Sequence, residues 1–164
     1  MVDQADGFLV IGGGKFHALG VALATGRRTF AADPYMNTVI DVSGEAKRII
    51  AVRLAHLSSA LDVREAIIVA STKPGQRLDS EKLAHLQLKL KERGVRVRVV
   101  AFNDVSRENL DDLGAAELYI NTACPRLATD DPHLFPAPVV NYRELLHVLE
   151  GGLEAYDPTL SVTL

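Results

Sequence analysis

Apolar residues fall into two kinds of run along this chain, and their alternation predicts an α/β protein. Short unbroken runs read as buried strands: Phe8-Leu9-Val10-Ile11 near the start and Ala66-Ile67-Ile68-Val69-Ala70 in the middle. The second is apolar throughout, as expected of a parallel strand covered on both faces. Residues 95–102 alternate Val with Arg before turning fully apolar, which predicts a strand with one exposed end. Residues 28–33, 117–123 and 138–141 read as further short strands, and 39–42 as an extended connection. Helical spacing appears between them. Ser43 is placed to cap a helix to about residue 61, with Ile50, Leu54, Leu57 and Leu61 on its apolar stripe and Arg48, Arg53 and His56 off it. Leu83, Leu86 and Leu90 define a second helix running to residue 93 and closed by Gly94. Residues 16–25 predict a short helix closed by Gly26, Ser106 caps an acidic one to residue 113, and residues 142–149 form the last.

Strand and helix alternate from Ala66 onward, which argues for a parallel sheet flanked by helices with right-handed crossovers. The opening strand–helix–strand looks like an appendage. The expected organisation is therefore an appendage over residues 1–40, an α/β domain over 41–150 and a patternless, mobile tail over 151–164. At 164 residues the chain is long enough for one proper core and short for two.

Composition narrows the function classes. A net charge of −3 provides no broad basic field, so direct nucleic-acid binding is not expected. No apolar run approaches the ~18–20 residues of a membrane span. The polar, acidic start is unlike a signal peptide, and with a single cysteine it points to the cytoplasm. Tryptophan is absent and aromatics are 5%, so the core must be aliphatic.

In open α/β sheets ligands collect beyond the carboxyl ends of strands. Four unusual sequence words fall there: Gly12-Gly13-Gly14, Asp33-Pro34, Ser71-Thr72-Lys73-Pro74-Gly75-Gln76 and Ala123-Cys124-Pro125-Arg126. Bare glycine amides before a helix can cradle an anion, but Phe16 stands where a Walker loop needs Ser or Thr. As a dinucleotide fingerprint the word has Gly12 and Gly14, with Asp33 at a ribose-binding distance in sequence, yet His17 replaces the third glycine. A tight strand-to-helix turn explains the same glycines. The loop over residues 71–79 exceeds the ~2–6 residues typical of such connections, and its Pro and Gly can aim backbone amides and Lys73 at a carboxylate or phosphate. No Cys-x-x-Cys or His-x-x-x-His pair occurs, which argues against an intrachain zinc site. Cys124 is readable as a small buried hydrophobe or as a nucleophile served by His17 or His133.

Taken together, the words resemble the C-terminal part of the diphthamide synthase family, its archaeal members most of all. The resemblance rests on Phe8-Leu9-Val10-Ile11-Gly12-Gly13-Gly14-Lys15-Phe16-His17-Ala18-Leu19-Gly20, on Asp33-Pro34, on Ser71 to Gln76, and on Asn121-Thr122-Ala123-Cys124-Pro125-Arg126-Leu127-Ala128-Thr129-Asp130-Asp131. It covers about residues 8–149, with all four words in order.

The resemblance implies a Rossmann-like domain equivalent to the third of three repeats, each bringing one cysteine to a central [4Fe–4S] cluster. It implies transfer of a 3-amino-3-carboxypropyl group from S-adenosylmethionine to a histidine of translation elongation factor 2. By position Cys124 would be a cluster ligand. Gly13, Lys73, Gly75 and Gln76 would face the methionine part of the cosubstrate, and Arg126, Asp130 and Asp131 share the cysteine's word. Two of the family's cysteines have no counterpart here, which implies either one half of a split enzyme, completed by a companion chain carrying the missing domains, or an excised piece. The opening strands would then be the trailing edge of the middle repeat. A cluster-free binding or scaffold paralogue and a nucleotide-binding oxidoreductase are the alternative readings.

Overall fold

A computed structural model of the chain describes residues 5–73, 75 and 79–161. It divides into two compact units, residues 1–52 and 53–164. The first holds β1 (Gly7–Ile11), α1 (Phe16–Thr25), β2 (Arg28–Asp33) and β3 (Thr38–Asp41), and a long helix α2 (Ser43–Ala60) begins in it. The second contains β4 (Glu65–Ser71), α3 (Ser80–Glu92), β5 (Arg96–Phe102), α4 (Arg107–Asp111), β6 (Leu118–Asn121), α5 (Arg126–Thr129), β7 (Val139–Asn141) and α6 (Tyr142–Gly151). None of the described helices is long and apolar enough to cross a membrane.

In the first unit β1 lies parallel to β2, as a βαβ crossover through α1 requires, and β3 returns antiparallel. Residues 39–42, expected to be merely extended, thus lie largely in a paired strand. The hairpin closes on Asn37, whose φ of 49° an asparagine tolerates. Helix α1 buries Ala18, Leu19, Ala22 and Leu23, and Gly26 ends it in the left-handed conformation. Register places Leu9, Ile11, Phe30, Ala32 and Val39 on one face of this sheet. Leu9, Ile11 and Val39 there remain 60%, 72% and 66% exposed.

The start of α2 departs from the expected serine cap. The Asp41 carboxylate accepts from the Ser43 amide at 3.0 Å, while the Ser43 hydroxyl oxygen accepts from the Thr29 amide at 2.9 Å. Hydrogen bonds from Ser43, then Arg28, hold the Asp41 carboxyl down at about 2. A carboxylate depressed on folding stabilises above its ordinary value near 3.8, and that contribution is lost as pH falls through about 2. Asp41→Asn should therefore melt below the parent at pH 7, with the gap closing between pH 4 and pH 2. Thermal unfolding of both proteins across that range reads the difference, and a pH-independent gap would contradict the assignment.

The second unit is a three-layer α/β sandwich. Its four strands are all parallel in the order β5-β4-β6-β7. One face packs Ile68, Leu118, Ile120 and Val140 against Leu57, Leu86, Leu90 and Leu145 of the helices. The other packs Ile67, Val69, Tyr119 and Val139 against Leu110, Ala128 and Phe135. This is the parallel sheet with flanking helices that the hydropathy pattern predicts. From β4 the chain first moves out to β5 and then returns to the opposite side of β4 as β6. The connections leaving β4 and β6 therefore diverge, and the carboxyl ends of such adjacent strands are where open α/β sheets commonly bind ligands.

The residues after 151, which have no hydropathy pattern, form 3-10 turns at Leu153–Ala155 and Pro158–Ser161. Leu153 and Tyr156 pack on the larger core, and Ser161 is buried. Residues 152–161 are thus tied to the core by two apolar side chains and a buried serine.

Candidate functional site

Cys124 lies in the connection leaving β6, where the chain diverges from the neighbouring β4. It is half-buried, neither sealed in aliphatic packing nor fully exposed. Its surroundings are built from polar side chains that are themselves buried. Asn121, the last residue of β6, donates from Nδ2 to the Cys124 carbonyl at 2.9 Å and accepts from the Ala123 amide at 3.1 Å. Thr122 fastens the same turn to β4, its amide at 2.9 Å and its hydroxyl at 3.1 Å from the Val69 carbonyl. Pro125 then initiates the four-residue helix α5.

Arg126 pairs with Asp130 at 2.7 Å along that helix. The Asp130 carboxylate, chiefly, raises the proton affinity of the guanidinium, with Cys124 and Asp131 adding to the effect. A fixed positive charge thus lies within electrostatic range of the thiol. His133 is exposed, with its backbone carbonyl held by Arg107 at 3.1 Å. His17 is also exposed and stacks edge-to-face on Phe16.

At the same rim β4 ends on Ser71, and the connection after it carries Thr72 and Lys73. The Lys73 amide donates to Ser71 Oγ at 3.1 Å, and its ammonium pairs with Asp104 at the end of β5. That ammonium holds the Asp104 carboxyl below its ordinary value. Gly75 is exposed, with a φ of 78° that an L side chain rarely adopts. Gln76 lies outside the described residues. An open cleft of about 780 Å³ adjoins this rim, lined by Ser71, Thr72, Asp79, Ser80, Leu83 and Val99 among others.

The glycine word belongs to the first unit. Gly13 is exposed, and Gly14 has a φ of 70°. The Gly14 amide is turned onto Asp33 Oδ2 at 2.9 Å, while Asp33 Oδ1 accepts from the Tyr35 and Met36 amides at 2.9 and 3.1 Å. These bonds, the one from Gly14 foremost, hold the Asp33 carboxyl below its ordinary value. Asp33 therefore ties the glycine turn to the hairpin, and its oxygens are engaged where a ribose partner would need them. Lys15 is likewise engaged, paired with Glu45 at 2.7 Å.

One group central to this region has no warning in the hydropathy pattern. Arg53, expected off the apolar stripe, is 1% exposed and pairs with the fully buried Glu144 of α6 at 2.6 Å. Its Nη1 donates to the carbonyls of Ala128 and Val139 at 2.9 and 2.8 Å, binding the far end of α5 to the start of β7. Glu144 also accepts from the Asn141 amide and the Tyr156 hydroxyl. The hydroxyl faces a carboxylate in a dry environment, and its proton is held well above the ordinary tyrosine value, by burial first and Glu144 second. His56, also read as a surface or boundary residue, places Nδ1 2.9 Å from the Val139 carbonyl.

A cubane iron–sulfur cluster is ordinarily held by several thiolates. Cys124 is the chain's one cysteine, and among the described residues no group of three or more metal-ligating side chains occurs. The chain does not supply a complete ligand set. A half-buried cysteine on a hydrogen-bonded turn, with a cation within electrostatic range, does fit the part of one ligand.

A sequence profile of diphthamide synthesis proteins matches residues 1–157. The 2-(3-amino-3-carboxypropyl)histidine synthase of Pyrococcus horikoshii is 34% identical over 154 residues, which is 94% of this chain and 44% of that protein. The human protein named 2-(3-amino-3-carboxypropyl)histidine synthase subunit 1 is 22% identical over 138 residues, 84% of this chain and 31% of its own. The crystal structure of Dph2 from Pyrococcus horikoshii with a 4Fe–4S cluster superposes with a TM-score of 0.76 at 31% identity, over 94% of this chain and 43% of that one. The chain thus spans less than half the length of these relatives.

Proposed function

The chain belongs to the diphthamide synthesis protein family, and on that footing we propose that it is the C-terminal part or subunit of a 3-amino-3-carboxypropyl transferase. The donor is S-adenosylmethionine and the acceptor a histidine of translation elongation factor 2, in the first step of diphthamide formation in the cytoplasm. The observation that carries this reading is the half-buried Cys124 on a hydrogen-bonded turn at the carboxyl end of β6. Cys124 supplies one thiolate to a [4Fe–4S] cluster, and the remaining ligands come from the family length this chain does not span. When bound, such a centre with an open iron supplies the electron that cleaves the donor's sulfur–carbon bond.

The chain's own residues bind and orient the donor. Lys73 exchanges Asp104 for the donor's carboxylate, moving one ion pair for another at the rim. Within the second unit, the exposed Gly75 and the Arg126 guanidinium are assigned to the methionine-facing surface, as the family resemblance implies. The remaining parts of the enzyme also cover the sheet face bearing Leu9, Ile11 and Val39. That exposed apolar surface supports the reading, since a sheet in an α/β fold is covered on both sides.

Anaerobic reconstitution with the companion part tests the proposal. The complex should bind iron and absorb in the visible, whereas this chain alone should not; equal iron in both would favour a cluster-free module. The donor site is tested by Lys73→Met. Its exposed pair contributes little to stability, so the melting point should change by no more than about 2 °C. The KM for S-adenosylmethionine should rise about tenfold or more, as loss of a charge-assisted bond requires. An unchanged KM would remove Lys73 from the donor site.

A further inference from the structure

We propose that Asn121 and Asn141 are positioning residues for Cys124, an assignment that rests on Cys124 being the functional thiol. The two residues end adjacent strands in paired register and are both buried. Their carboxamides join directly, Asn121 Nδ2 to Asn141 Oδ1 at 2.7 Å. Each then holds one of two successive carbonyls at the cysteine. Asn121 donates to the Cys124 carbonyl at 2.9 Å, and Asn141 donates to the Pro125 carbonyl at 3.3 Å. Asn141 Nδ2 also donates to the Ser161 carbonyl at 3.0 Å, so the chain beyond α6 braces the same clamp.

The peptide planes on the carboxyl side of Cys124 and Pro125 are thereby fixed to the sheet, although neither residue lies in a strand. Proline at 125 removes one backbone torsion from the turn. Main-chain motion of Cys124 is restrained on three sides while its side chain stays partly exposed. Supporting bonds of this kind orient a metal ligand before the metal arrives, and their removal commonly weakens binding or activity about 10–100-fold. A carboxamide suits the task because a single side chain both donates and accepts without adding charge beside a thiolate.

The test uses Asn121→Ser and Asn141→Ser, which are uncharged and too short to reach the carbonyls. Thr122→Val is the control, since it removes a buried hydrogen bond from the same turn without touching either carbonyl. In the isolated folded chain, alkylation of Cys124 by iodoacetamide should accelerate about fivefold in each Asn variant, the order expected for losing one buried hydrogen bond. In Thr122→Val it should change less than twofold. Equal acceleration in all three, or none in the Asn variants, would overturn the assignment. In the reconstituted complex the reduced-cluster electron paramagnetic resonance spectrum should shift in the Asn variants and not in the control.

If the Asn variants do not fold, hydrogen exchange in the parent decides. The Ala123 amide, bonded to Asn121 Oδ1 outside the strand, should exchange as slowly as the amides of β6; loop-like exchange would reject the clamp. Alkylation and exchange need no cluster, so a parent complex that binds no iron would reject the proposed function while leaving the positioning result readable.

Discussion

Cys124→Ala, reconstituted with the companion part of the enzyme, should lose more than about a hundredfold in transferase activity, beyond the 10–100-fold typical of outer-shell changes. The reasoning is one of ligand number. The chain has a single thiol, so no other thiolate within it can take the vacated position. The neighbouring Arg126 cannot substitute, since a guanidinium has no lone pair to offer. Alanine preserves the turn because the bonds at residue 124 run through its backbone carbonyl. Folding should therefore be close to that of the parent, and the loss should appear together in iron content, visible absorption and product. A variant that retains iron and turnover would show that Cys124 is not a ligand. One that retains iron and loses turnover would point to a role for the thiol beyond ligation.

Arg53→Met should destabilise the second unit by about 3–5 kcal/mol, as expected when one member of a buried ion pair is removed. That is a large part of the ~5–15 kcal/mol that holds a typical domain together. Two costs combine. Glu144 is left as an unpaired charge with no exposure to water, and the carbonyls of Ala128 and Val139 lose their shared donor. Arg53→Lys should recover only part of the loss, because an ammonium lacks the planar fork that meets Glu144 with two nitrogens. Urea unfolding followed by circular dichroism measures both variants. A loss under ~1 kcal/mol would be the size expected of a solvated pair and would contradict the observed burial.

Much of the architecture could be read from local pattern. The strands at 66–70 and 95–102, the helix on Leu86 and Leu90 and the cap at Ser106 recur where expected. Hydrophobic periodicity and capping are properties of neighbouring residues, so a linear reading captures them. The placement of the cysteine word beyond a strand follows from the same logic: an apolar run ended by Asn, Cys and Pro leaves the sheet there.

What escaped that reading depends on partners remote along the chain. Arg53 reads as a residue off the apolar stripe until Glu144 is brought to it from 91 positions away. Asp33 suggests a ligand carboxylate until the Gly14 amide, 19 residues earlier, is found on it. Tyr156 anchors a stretch with no hydropathy signal because its hydroxyl donates a hydrogen bond to Glu144. Periodicity and turn chemistry act over a few residues and established the layers, the strand ends and the candidate thiol. Pairing of buried polar groups acts through space, and it arose only once folding had joined β6, β7, α2 and α6 around Cys124.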